Sequence, residues 1–157
     1  MKKFVIAAAS ALFATIAAPA AMANGAQPVE LQGGVKVDKL VVENGKEKHV
    51  YSDPKVVVPG DKLVFTTTYS NTGAEPVRNF VVTNPLPAAV ALAPEGAEKQ
   101  DVSVDGGKSW GKLGMLKVSD AAGQRSAQAS DVTHVRWVLP LLAPGARGAV
   151  TYNAIVR

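Results

Sequence analysis

Pro59-Gly60-Asp61-Lys62-Leu63-Val64-Phe65-Thr66-Thr67-Thr68-Tyr69-Ser70-Asn71-Thr72-Gly73 is the stretch whose reading decides the fold class. Leu63, Phe65, Thr67 and Tyr69 alternate with Lys62, Val64, Thr66, Thr68 and Ser70. A period of two puts the first set on one face of a β-strand, because successive strand side chains point in opposite directions. Turn residues close both ends: Pro59-Gly60-Asp61 before the strand, and Asn71-Thr72-Gly73 after it.

Toward the N-terminus the same alternation runs through Val35 to Val42 and stops at Asn44-Gly45, a hairpin-type turn. Lys48 to Val58 is rich in β-branched residues but holds Pro54, which predicts an edge strand or a bulge. Toward the C-terminus Val77 to Thr83 reads as a strand, stopped by Asn84-Pro85-Leu86-Pro87. The Asn84 side chain is expected to bond its own backbone ahead of Pro85.

Shorter strands are predicted around Ala89 to Leu92, at Val102-Ser103-Val104, at Ser109-Trp110-Gly111 and at Leu116-Lys117-Val118. Ala121 to Ser130 is polar and irregular and reads as loop with one helical turn. From Asp131 to Leu139 the alternation returns, with Val135, Trp137 and Leu139 on one side. Pro144-Gly145 turns the chain into a last strand, Ala149 to Val156. Short strands, regular turns and no amphipathic helix predict an all-β, antiparallel β-sandwich of about seven to nine strands over residues 35–157. Trp137 is expected to fill its core. No repeat of fixed period suggests a propeller or solenoid.

The first 23 residues read differently. Lys2-Lys3 precede an apolar run from Phe4 to Ala18, Pro19 breaks it, and Ala21-Met22-Ala23 supplies small residues for a signal peptidase. This is the layout of a cleavable secretory signal peptide, with cleavage between Ala23 and Asn24. The run falls short of the roughly 20 residues that span a bilayer. Residues 24–34, with Gly25, Pro28, Gly33 and Gly34, read as a flexible lead-in. Export to the periplasm or the cell exterior is the expectation, with no membrane span after cleavage.

The chain has 157 residues and no cysteine, so disulfides, thiolate metal sites and a lipoprotein anchor are excluded. Taking away the first 23 leaves 134 residues, enough for one domain held by its own core. Losing Lys2 and Lys3 lowers the formal charge from +4 to about +2. The remaining basic residues are scattered, whereas nucleic-acid binders concentrate them in a stripe. No nucleic-acid partner and no cofactor is implied.

The order Val58-Pro59-Gly60-Asp61, an alternating strand, Asn71-Thr72-Gly73 and Val81-Val82-Thr83-Asn84-Pro85-Leu86-Pro87 resembles a bacterial surface-protein repeat. That family is the domain of unknown function eleven, an Ig-like β-sandwich. Val135-Arg136-Trp137 and Leu142-Ala143-Pro144-Gly145 match its closing half, so the resemblance covers about Val56 to Val156. Asn84 departs from the family, which has Asp there, and a role needing a carboxylate would be lost. The resemblance implies a fold and a cell-surface, adhesive or matrix setting for a single copy of the domain. It implies no reaction.

Other motifs read as structure rather than chemistry. Gly107-Lys108-Ser109-Trp110-Gly111 fits the G-x-S-x-G pattern, but a nucleophile elbow needs a strand-to-helix turn in a parallel sheet. Ser103 to Trp110 resembles the Asp-box hairpin, in which Asp105 caps turn amides and Trp110 packs beneath; this favours burial of Trp110. An exposed Trp110 with Tyr51 would instead make a sugar-stacking platform. His49 and His134 lack metal-site spacing, and Asp101, Asp105, Asp120 and Asp131 lack the spacing of a calcium loop. An isopeptide bond at Asn84 or Asn153 would need a core lysine, and the strand lysines read as outward.

Three classes of function follow. The leading one is a non-enzymatic structural, adhesive or protein-interaction module of the bacterial envelope or matrix, including self-association through an edge strand. The alternatives are a secreted carbohydrate-binding domain and a periplasmic accessory protein that presents a sheet edge to a client. Asn71, Gly73, Asn84, Pro85, Asp105, Trp110 and Trp137 are the expected structural residues.

Overall fold

In the computed structural model, which describes residues 28–157, the chain builds ten strands and two short 3-10 turns among those residues. In chain order the strands are β1 (Val29–Glu43), β2 (Lys46–Ser52), β3 (Lys62–Asn71), β4 (Val77–Pro85) and β5 (Val90–Leu92). They continue as β6 (Asp101–Ser103), β7 (Lys117–Asp120), β8 (Gly123–Ser126), β9 (His134–Leu142) and β10 (Arg147–Val156). Every pairing is antiparallel. A five-stranded sheet, in the order β2-β1-β3-β10-β5, faces a three-stranded sheet, β4-β9-β6; β7 and β8 form a separate ribbon.

The alternation of β3 is realised as read. Leu63 and Thr67 are buried and Phe65 packs against the core, while Lys62 and Thr68 are exposed. Leu92, Val102, Val135, Tyr152 and Ala154 complete the core between the sheets. Phe65 and Tyr152 are directly opposite on β3 and β10 and stack with ring centres 4.8 Å apart. Trp137 reaches the same cluster from β9, 6.3 Å from the Tyr152 ring. Burial alone pushes the Tyr152 hydroxyl up to about 12, as expected of a phenol that loses water when it ionises.

Three expectations need correction. Val29 to Gly34 belong to β1 rather than to a loose lead-in: Val29 is buried, and residues 29–38 pair with β3 along their whole length. The two glycines conceal the alternation there. Residues 24–27 and the proposed cleavage point at Ala23 and Asn24 lie outside the described residues. Second, β2 ends at Ser52, so Pro54 terminates the edge strand instead of sitting within it, and Val56 to Val58 continue outside any strand. Third, the segment from Ala121 to Ser130 contains β8, paired in register with β7 (Lys117↔Ser126, Asp120↔Gly123). With these additions the strand count exceeds the nine expected.

β4 and β9 share one irregularity. In β4 the inward residues are Phe80, Val82 and Asn84 on one side of Asn79, and Val77 on the other. Their partners Leu139, Trp137, Val135 and Leu142 change phase together at Pro140. Asn79 takes a positive φ of 52° there, and Pro140 opposite it has no N–H to donate.

Candidate functional site

Asn71 ends β3 as the hub of one end of the sandwich. Its side chain is buried, and its Nδ2 donates to the carbonyls of Glu75 and Leu142, both at 2.9 Å, and of Ala143 at 3.2 Å. Its Oδ1 accepts the Gly73 N–H at 3.0 Å. The amide therefore ties β3 in one sheet to the end of β9 in the other. Gly73 is needed for space: a Cβ there would stand 2.8 Å from the Cβ of Pro28, whose carbonyl accepts the Thr72 N–H at 2.8 Å. The turn thus also clamps the start of β1.

Asn84 crosses the sandwich instead of capping its own turn. Its Nδ2 donates to Thr67 Oγ1 at 2.7 Å, and the buried Thr67 hydroxyl gains a partner in the opposite sheet. Pro85, paired with His134, is the last residue of β4.

The Asp105 hairpin follows its sequence reading closely. Asp105 Oδ1 accepts the N–H groups of Lys108 (3.1 Å) and Ser109 (2.9 Å) and the Ser103 hydroxyl (2.7 Å). Its Oδ2 accepts the Ser109 hydroxyl at 2.6 Å. These donors, the Ser109 hydroxyl foremost, hold the carboxyl well below the usual carboxylate range. Ser109 is therefore a donor to a carboxylate in a turn, and in place of the strand expected at Ser109 to Gly111 there is a single antiparallel bridge from Val102 to Gly111. His134, the histidine downstream, is bonded to Thr133 Oγ1 at 3.0 Å.

Trp110 is half-buried, and it lies on the outer face of the three-stranded sheet rather than in the core. Its Nε1 donates to the Gly107 carbonyl at 3.0 Å, and the Arg136 guanidinium covers its ring at 4.6 Å. Arg136 also reaches Asp101 at 3.6 Å, and Lys112 meets the same carboxylate at 3.2 Å. Tyr51, the other half of the imagined sugar platform, is on β2 in the other sheet. The four aspartates do not gather either. Asp120 and Asp131 share Arg125, Asp101 has Lys112 and Arg136, and Asp105 has its hydroxyls. Among the described residues no group of three His, Cys, Asp or Glu side chains is placed to hold a metal ion.

The feature the sequence reading missed is where apolar side chains are left uncovered. Beyond Asp38, β1 pairs only with β2, because β3 starts opposite it at Lys62. The last five residues of β1 thus project about 16 Å past β3 as a two-stranded ribbon. Leu40, Val42 (71% exposed), Val50 and Tyr51 (58% exposed) lie on it, and Val56 (81% exposed) and Val58 follow. Leu40 and Val42 stand on the side of β1 opposite the buried Val37, on the outer face with Asp38 and Tyr51, while Val50, across from Lys39, is on the other side. These apolar residues therefore do not share the one face that alternation predicts. Asn44 and Gly45 both take positive φ, 54° and 74°, the conformation of a two-residue hairpin turn.

No family model, no curated protein and no solved structure matches this chain.

Proposed function

We propose that this chain is an exported, non-enzymatic β-sandwich that works as a structural, adhesive or protein-interaction module of the bacterial envelope or extracellular matrix. The observation that carries the reading is the projecting β1–β2 ribbon, with apolar side chains on it and an unpaired strand edge along it. Exposed apolar side chains grouped together cost solubility and mark contact surfaces. An open edge supplies backbone donors and acceptors to an added strand. The signal-peptide layout and the turn order shared with the Ig-like surface repeats support the location.

The carbohydrate-binding alternative is less well supported. A sugar stacks on a free aromatic face, whereas Arg136 lies over the Trp110 ring and the indole N–H is spent on Gly107. The test is fractionation of a tagged chain expressed at native level, with N-terminal sequencing and pull-down from the fraction that holds it. The reading expects a chain beginning at Asn24, outside the cytoplasm, retaining an envelope protein or a second copy. A cytoplasmic chain still beginning at Met1 would overturn it.

A further inference from the structure

Free edges in this fold are not equivalent. β5 and β6 are three residues each; Val102 of β6 is bridged to Gly111, and Arg157 lies along β5, its N–H on the Ala89 carbonyl and its Nε on the Val90 carbonyl. β4 is longer, but Asn79 with its positive φ interrupts it and Pro85 ends it. These are the ordinary protections of a sheet edge. β2 differs from them: seven residues with neither glycine nor proline, and every side chain exposed.

The two-residue turn fixes which backbone groups of β2 are free. Glu43 and Lys46 flank it as a hydrogen-bonded pair, and such pairs alternate along an antiparallel ladder. Lys48 and Val50 therefore exchange bonds with Val41 and Lys39. Glu47, His49 and Tyr51 turn their N–H and C=O groups outward, to the open edge.

We propose that this edge pairs with the same edge of a second copy, antiparallel and centred on His49, joining two five-stranded sheets into one of ten strands. The inference rests on the reading of the chain as an interaction module and narrows its partner to itself. Charge selects the register. With His49 opposite His49, Glu47 faces Tyr51, Lys48 faces Val50 and Lys46 faces Ser52, so no ionic pair of like sign stands opposed. Sliding the strands toward the turn sets Lys48 against Lys48; sliding them the other way sets Glu47 against Asp53. Lys48 already has Glu43 as a partner at 3.4 Å, and His49 has Asp38 at 2.7 Å. On the outer face, His49 of one chain meets His49 of the other, and each lies stacked 6.3 Å from the Tyr51 of its own chain.

The chain has no cysteine, so single thiols report the register. The exported chain, purified from the fraction that holds it, is examined by sedimentation velocity and by mild oxidation of variants. Strand pairing places two copies of residue 49 about 5.5 Å apart at Cα. It places two copies of residue 46 six residues apart, roughly 20 Å. His49→Cys should give disulfide-linked dimer at least tenfold faster than Lys46→Cys. Mixed Lys46→Cys and Ser52→Cys chains should give the heterodimer. Unsubstituted chain should shift toward twice the monomer mass as concentration rises, and His49→Pro should abolish the shift, since its N–H faces away from β1. A single monomer mass at all concentrations, with His49→Cys no faster than Lys46→Cys, would overturn the pairing. A strict monomer that retains a different envelope protein ends this inference and leaves the module reading standing. Register-specific dimers of a chain found in the cytoplasm would do the reverse.

Discussion

The Asn84 amide donates to the Thr67 hydroxyl at 2.7 Å, and this one bond links the edge strand of the smaller sheet to the central strand of the larger. The bond separates two substitutions that look similar. Asn84→Ala leaves a buried hydroxyl without its partner and should cost about 1–2 kcal/mol. Asn84→Asp keeps an oxygen in place, and the Thr67 hydroxyl can rotate to donate to it. Urea denaturation should show Asp close to the parent and Ala clearly weaker; equal losses would mean that the carboxylate cannot replace the amide.

Asn71 makes the sharper case, because three carbonyls converge on its Nδ2. Asn71→Ala strands those carbonyls and should cost about 2–3 kcal/mol. Asn71→Asp should be worse, since it points a carboxylate at carbonyl oxygens. The order Asn, Ala, Asp in denaturation midpoints checks this, and an Asp variant more stable than the Ala one would refute it.

Gly73→Ala tests the clamp on β1. The new Cβ collides with a proline ring, so Pro28 must move away. Hydrogen exchange should speed up at the N-terminal end of β1, from Val29 onward, while amides of β9 and β10 keep their protection. Uniform acceleration across all strands would show instead that the turn supports the whole fold.

Acid should weaken the protein through Asp131, whose carboxyl is held at about 2 by Arg125, with the Gln128 N–H adding to it. The sign follows from linkage. A carboxyl with a depressed folded pKa stabilises the fold above its unfolded value of about 3.9, and that stability is lost as pH falls through the folded value. Denaturation midpoints should therefore hold from neutral pH to about 4 and fall between about 4 and 2. Asp131→Asn should flatten part of that fall. Arg125 is exposed and Asp131 only partly buried, so solvent screens the pair and the effect is expected to be modest.

Much of the sandwich could be read from the chain because its strands keep strict alternation between strong turn residues. β3, the second half of β4, the first half of β9 and β10 all appear where their patterns place them. The Asp105 hairpin was readable for a related reason: its bonds are local, spanning four residues or fewer. The errors occur where the information is not local. Gly33 and Gly34 carry no side chain to mark a strand, yet the register with Thr67 and Thr66 includes them. The Asn84 partner lies seventeen residues away in the opposite sheet. Arg136 over Trp110 depends on a β6–β9 pairing that neither segment announces. The succession Leu40-Val41-Val42 leaves the phase of β1 open, and the fold puts Val42 on the side opposite the buried Val37, on the outer face of the sheet.

β1 and β10 flank β3, both antiparallel to it, and so run parallel to each other. The described chain therefore enters at the Asn71 end of the sheet and leaves at the Lys62 end. A pull on those two points would load both ladders lengthwise, so that their bonds resist together instead of opening one by one.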